Sequence, residues 1–223
     1  MSQKNVFVVG LDEANRRTLE DVGRPANYRF HGLLAAEDVL EGDFQIEEML
    51  DRAKSELSSF DGHIDAIVGY WDFPVSSLVP ILCAEFGLPS VSLEAVLRCE
   101  HKYWSRLVQQ AVAPDAVPAF GLVEGDEPAL PAGLEFPVWL KPVKSFSSEL
   151  AFKAEDHESF IAAVRDIREG IARVGEPFEF IMQQARLPEE ISEVGGTAIL
   201  VEETLSGQQA ATEGYVFRGG IVV

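Results

Sequence analysis

Apolar and polar stretches alternate along the first hundred residues. Residues 6–10 form a short apolar run closed by Gly10, the pattern of a strand buried on both faces. Residues 12–21 are polar with scattered apolar positions, which predicts a surface helix. A second strand is expected over 28–34. Ile46, Met49, Leu50, Ala53 and Leu57 fall on one face of a 3.6-residue period, so 46–57 reads as an amphipathic helix. Asp61-Gly62 is a turn signal before a third strand at 64–69. Pro74 suits the first turn of a helix over 75–86, Gly87 suits its stop, and 88–91 predicts a fourth short strand. Strands alternating with helices imply βαβ units and a parallel sheet.

The texture changes after that. Residues 93–111 read as one helix with a polar face, 113–117 as a Pro-containing linker, and Pro118 opens an extended segment. Pro128, Pro131, Gly133 and Pro137 make 125–137 a loop. Strands are expected at 138–141 and 150–154, separated by a Ser-rich turn over 144–149. A long helix is expected over 155–174 with Asp156 as its N-cap. Further strands are expected at 178–184, 197–203 and 212–217, with Arg218-Gly219-Gly220 turning into 221–223. This half reads as α+β with antiparallel character. The sequence stops three residues into its last expected strand, which predicts a piece of something longer; a short protein with an edge strand there is the alternative.

Composition narrows the partners. Eighteen basic side chains against 37 acidic ones give a net charge of −19 over 223 residues. That balance argues against nucleic acid and against an anionic membrane surface, both of which need clustered Lys and Arg. A bound polyanion would be held by a few local cations against the field of the whole chain. Cys83 and Cys99 form no CxxC pair and read as reduced thiols of a cytoplasmic protein. No apolar stretch approaches the ~20 residues that span a bilayer.

Several motifs are absent: GxxxxGK[ST], GxSxG, HExxH and, after Gly10, GxGxxG. What remains is a set of cations in apolar surroundings. In VWLKPVKSFSSELAFKA, Lys141 ends an apolar strand, and Ser145, Ser147 and Ser148 form a turn of small residues. Such a turn can fold over an anion with its N–H groups and hydroxyls, and a neighbouring lysine supplies charge. A solvated lysine beside an ordinary hairpin is the other reading. In ILVEETLSGQQAATEGYV, Glu202 and Glu203 end a strand and point to opposite faces. One can face a cleft and accept from an amino group, or both can belong to a solvated strand end. Lys102 and Arg106 share a helical face, where a plain charged surface is the simpler reading. Asp72 follows the third strand at its carboxyl end, where open α/β sheets place ligands; it either receives a substrate amine or caps the helix that starts at Pro74.

In this order the pieces resemble the ATP-grasp superfamily, closest to its biotin-carboxylase-like and carbamoyl-phosphate-synthetase-like carboxylate–amine (or thiol) ligases. The resemblance rests on HKYWSR…VPAF, VWLKPVKSFSSELAFK, VEETLSG and EGYVFRGG, and spans essentially the whole chain. It implies a Rossmann-like pre-ATP-grasp domain with a parallel sheet over 1–98, then a partial ATP-grasp α+β domain over 99–223. In that second domain a lid subdomain covers about 118–200, and 201–223 begins the next subdomain. It implies ATP and Mg²⁺, an acyl-phosphate intermediate, and small carboxylate and amine substrates; a homodimer is compatible with it.

Residue by residue, the resemblance makes Lys102 and Lys141 the cations on the ATP phosphates, and residues 145–148 a flexible lid. Glu203 or Glu202 is the acceptor for the adenine amino group, Leu205 the backbone contact to the ring, and Gln209 the ribose contact where relatives often carry Glu. The lid is Ser-rich where many relatives are Gly-rich. The family's metal-binding acids, Asn and catalytic Arg fall beyond residue 223, so no catalytic or metal residue is assigned. A module that kept the fold and lost the chemistry is the alternative to a ligase.

Overall fold

Why the chain turns where it does is visible first at Gly10. Its φ is +68°, and a Cβ there would stand 2.6 Å from Val39 and 3.1 Å from Trp71, so glycine alone closes the first strand. The computed structural model describes residues 3–22, 27–41, 43–217 and 219–223. The first layer is a parallel sheet in the order β2-β1-β3, from β1 (Lys4–Val9), β2 (Tyr28–Leu33) and β3 (Ala66–Val68). Helices α1 (Glu13–Val22), α2 (Ala36–Leu40), α3 (Ile46–Ser59) and α4 (Val75–Glu85) connect and cover it. The stripe of α3 is buried as its period requires, at Ile46, Met49, Leu50, Ala53 and Leu57. Residues 88–91 are not a strand. Gly87 turns the chain at φ +65°, the Leu88 N–H returns to the Cys83 carbonyl at 2.8 Å, and Val91 is 56% exposed with no sheet neighbour.

The expected single helix over 93–111 is two: α5 (Leu93–Glu100) and α6 (Lys102–Val112). His101 breaks it with φ −74° and ψ 98°, and its ring nitrogen Nδ1 accepts the Trp104 N–H at 3.2 Å as the cap of α6.

The second layer is an antiparallel sheet in the order β4-β7-β5-β6. It comprises β4 (Phe120–Leu122), β5 (Val138–Pro142), β6 (Phe152–Ala154) and β7 (Ile199–Glu203). Asp156 caps α7 (His157–Gly170) through a reciprocal capping box with Ser159. One face of this sheet, including Val138, Leu140, Ile199 and Val201, packs on Phe160, Val164 and Ile167 of α7. Alternation therefore sends Trp139, Lys141, Leu200 and Glu202 to the other face.

Residues 178–184, expected as a strand, lie mostly in α8 (Ala172–Met182), followed by α9 (Glu189–Val194). Ile171 keeps helical angles between α7 and α8. Pro177 inside α8 argues against a helix at roughly 3 kcal/mol. Val174, Phe178, Ile181 and Met182, at i, i+4, i+7 and i+8, are all buried in the first layer's core. At ~1.5–3 kcal/mol each, that burial outweighs the proline. Elements late in the chain thus complete the core around the first sheet. A hairpin of β8 (Tyr215–Phe217) and β9 (Gly220–Val222) follows; the expected turn residue Arg218 lies outside the described residues. Thr212–214 precede β8 without strand pairing, and Leu150 turns left-handed at φ +56° instead of opening β6.

Candidate functional site

The site begins at the break between α5 and α6. His101 is fully buried; its Nδ1 accepts from Trp104, so its Nε2–H donates to the Gly195 carbonyl at 3.1 Å. Burial pushes this imidazole below its usual pKa and keeps it neutral. The start of α6 is thereby pinned to the end of α9. The next residue, Lys102, donates its backbone N–H to the Val143 carbonyl at 2.8 Å. Its ammonium donates to the Ser145 carbonyl at 2.7 Å and to the Ser145 hydroxyl at 3.1 Å. Among the described residues no carboxylate pairs with Lys102. Desolvation, then the nearby Lys144 and Lys141 charges, bring its pKa down to about 8, against the pull of Asp72 and Glu202.

The sheet face away from α7 presents Lys141 and Glu202. Glu202 is 4% exposed and its carboxylate takes both the Lys141 ammonium and the Arg106 guanidinium. Glu203 points the other way, and its carboxylate accepts the Ala119 N–H at 3.2 Å on the edge strand. The adjacent glutamates thus diverge as strand geometry requires.

The serine turn is held at several points. Phe146 packs against the first core near Phe44, and Glu149 takes the Arg173 guanidinium at 2.7 and 2.9 Å. Ser147 and Ser148 lie between these holds at φ +50° and +58°, conformations that usually favour glycine. Asp72 does not cap α4 with its side chain: the cap position is Pro74, without a side-chain bond. Its carboxylate accepts the Phe73 N–H at 2.7 Å and the Lys144 ammonium at 3.2 Å, while remaining largely exposed.

One cavity of about 830 Å³ gathers these groups, a volume suited to a small ligand. Lys102 and Arg106 line it from α6, and Trp139 and Lys141 from β5. Ser145, Ser147 and Ser148 line it from the turn, and Asp72 from the end of β3. Glu202, Glu203, Leu205 and Gln209 line it from β7 onward, with Leu205 69% exposed. A separate recess of about 550 Å³ lies beside Phe44 and Phe180, rimmed by Glu47, Glu48 and Asp51, and contains none of them. Among the described residues no group of three His, Cys, Asp or Glu is arranged to hold a metal. Sequence reasoning passed over Lys144. A lysine three positions after Lys141 in a polar turn gives no local sign of being buried.

A parallel α/β layer faces an antiparallel sheet across a lysine-lined cleft, which defines a two-layer α/β class with a cavity between the layers. No family model matches the chain, and no curated protein matches it. Solved structures do match. The L-amino acid ligase of Bacillus licheniformis is 16% identical at a TM-score of 0.67, over 93% of this chain and 48% of that one. The biotin carboxylase of Campylobacter jejuni, solved with β,γ-ATP, is 16% identical at 0.58, over 92% and 46%. A RimK domain ATP-grasp protein of Sphaerobacter thermophilus is 15% identical at 0.54, over 92% and 65%. The chain carries the ATP-grasp fold, and spans about half the length of the first two structures. Among the described residues no helix is long and apolar enough to cross a membrane.

Proposed function

We propose that the cavity binds ATP and that the chain is the ATP-binding portion of a ligase joining a carboxylate to an amine or thiol through an acyl phosphate. The observation that carries this reading is Lys102, an ammonium drawn out of water whose own hydrogen bonds go only to the neutral carbonyl and hydroxyl of Ser145. A phosphate is the counter-charge it lacks. Lys141 stands on the facing sheet and is shared with Glu202, so it approaches a phosphate by exchanging or sharing that carboxylate. Ser145, Ser147 and Ser148 supply hydroxyl and backbone donors over the same anion.

At the other end, the backbone of Glu202 or the side chain of Glu203 receives the adenine amino group. Leu205 offers its backbone to the ring, and Gln209 hydrogen-bonds ribose hydroxyls without charge. Asp72 faces the same space and takes the ammonium of an amine substrate. A substrate carboxylate oxygen attacks the terminal phosphorus, the P–O bond to ADP breaks, and the nucleophile then attacks the acyl carbon. Phosphate leaves as the new bond forms and the nucleophile gives up its proton. The protein's share is position and charge along the phosphates. Magnesium would accompany the triphosphate. The free thiols Cys83 and Cys99 suit a cytoplasmic enzyme.

Titration calorimetry with ATP tests the reading. Binding is expected for the wild type and strong loss for Lys102→Ala and Lys141→Ala. No binding by the wild type, or affinity unchanged in both variants, overturns it.

A further inference from the structure

Lys144 is 2% exposed, although it sits in a polar turn. Its ammonium lies 3.0 Å from a Glu100 carboxylate oxygen at the end of α5 and 3.2 Å from Asp72 after β3. The rings of Phe73 and Phe178 flank it at 5.2 and 5.8 Å. Its backbone leaves β5 of the second sheet, while its side chain ends among groups of the first layer and α8. An ammonium on a flexible stem ordinarily stays in water, so this burial is set by the four partners and not by the turn.

The residues on either side of Lys144 are the two that hold Lys102. The Val143 carbonyl takes the Lys102 backbone N–H, and the Ser145 carbonyl and hydroxyl take its ammonium. We propose that Lys144 is a positioning residue: its ammonium, fixed by Asp72 and Glu100, sets the turn so that Val143 and Ser145 clamp Lys102 in the cavity. The same contact holds Asp72 at the cavity rim. The inference rests on the nucleotide reading only for what the clamped lysine serves. The clamp itself is a property of the unliganded chain.

The charged groups facing Lys102 are Lys144 and Lys141 as like charges, Asp72 and Glu202 as opposite ones, with Arg106 one turn along its own helix. Removing Lys144 takes away a like charge and loosens the shell that desolvates Lys102. Both changes favour the protonated amine.

The test uses the full chain as wild type, Lys144→Met and Lys144→Gln. The glutamine keeps N–H donors for the same carboxylates and carries the test where the methionine variant fails to fold. Reductive methylation with ¹³C-formaldehyde gives each lysine a resonance, and Lys102→Arg identifies the one that matters. Its titration is followed by NMR without nucleotide. The wild type is expected to titrate near 8. The Lys144 variants are expected to titrate higher by about one pH unit, the size of a lost neighbouring charge. ATP affinity, measured on the same proteins, is expected to fall about tenfold, as for coupled neighbours. A folded variant whose Lys102 titrates as in the wild type overturns the inference, even where ATP still binds. A wild type that binds no ATP, in which loss of Lys144 both shifts Lys102 and speeds hydrogen exchange of the Lys102 amide held by the Val143 carbonyl, upholds the positioning role and removes the nucleotide reading alone.

Discussion

The Lys102 ammonium rests 2.7 Å from the Ser145 carbonyl, joining the first turn of α6 to the turn after β5 by a bond from a charge to a neutral acceptor. Such a bond orients the amine without neutralising it. The lysine therefore remains costly to keep charged, and that cost is what an incoming anion relieves.

Stability should show this cost. The pKa of Lys102 falls to about 8 from 10.5 in the unfolded chain, so between these values the unfolded state binds more protons and stability rises with pH. At neutral pH the cost is present in full, on the order of 3 kcal/mol; above the unfolded pKa it is gone. Urea unfolding at neutral and alkaline pH is expected to show Lys102→Met more stable than the wild type at neutral pH, with the gap closing as pH rises.

The nucleotide affinity should carry the opposite dependence. Protonated Lys102 is the form that pairs with phosphate, so ATP binding is expected to weaken as pH rises through about 8 and to take up a proton near that pH. Calorimetry in buffers of different ionisation enthalpy measures the uptake. It should vanish in Lys102→Met.

The two adjacent glutamates should differ sharply. Glu202→Gln leaves Lys141 and Arg106 without their shared buried carboxylate and is expected to cost about 3 kcal/mol. Glu203→Gln keeps an amide oxygen for the Ala119 N–H, loses only an exposed charge, and is expected to cost under about 1 kcal/mol. Chemical denaturation of both variants makes the comparison.

His101 should make the fold acid-sensitive. Its pKa is lowered by burial, so below about 6.5 the unfolded state takes up a proton that the folded state refuses, and stability falls as pH falls. His101→Asn keeps an acceptor for the cap of α6 and loses the bond to Gly195. It is expected to be less stable at neutral pH and flatter between neutral and mildly acid pH, read from melting temperatures.

The helix that replaced an expected strand supplies a further check. Phe178→Ala is expected to cost about 3–5 kcal/mol, because its ring fills the core around the first sheet and not a sheet edge.

What the sequence by itself determined is local or ordered along the chain. The stripe of α3, the N-cap at Asp156, the glycine stop at Gly10 and the divergence of Glu202 and Glu203 follow from period, turn chemistry and strand parity, which act over a few residues. The alternating first half and antiparallel second half were legible for the same reason. The order of four loose motifs also pointed to the fold that the solved structures share.

Tertiary structure alone decided the rest. Residues 178–184 are short, apolar and preceded by a proline, equally apt for strand or helix; the core of the first layer, far away in sequence, chose the helix. Residues 88–91 have strand composition but found no partner strand. His101 breaks a helix because Gly195 and Trp104 satisfy both its ring nitrogens. Lys144 is buried because Asp72, Glu100, Phe73 and Phe178 meet around it. In each case the free energy of a side chain depends on which distant groups surround it, and that is written in the packing of layers, not in the neighbours along the chain.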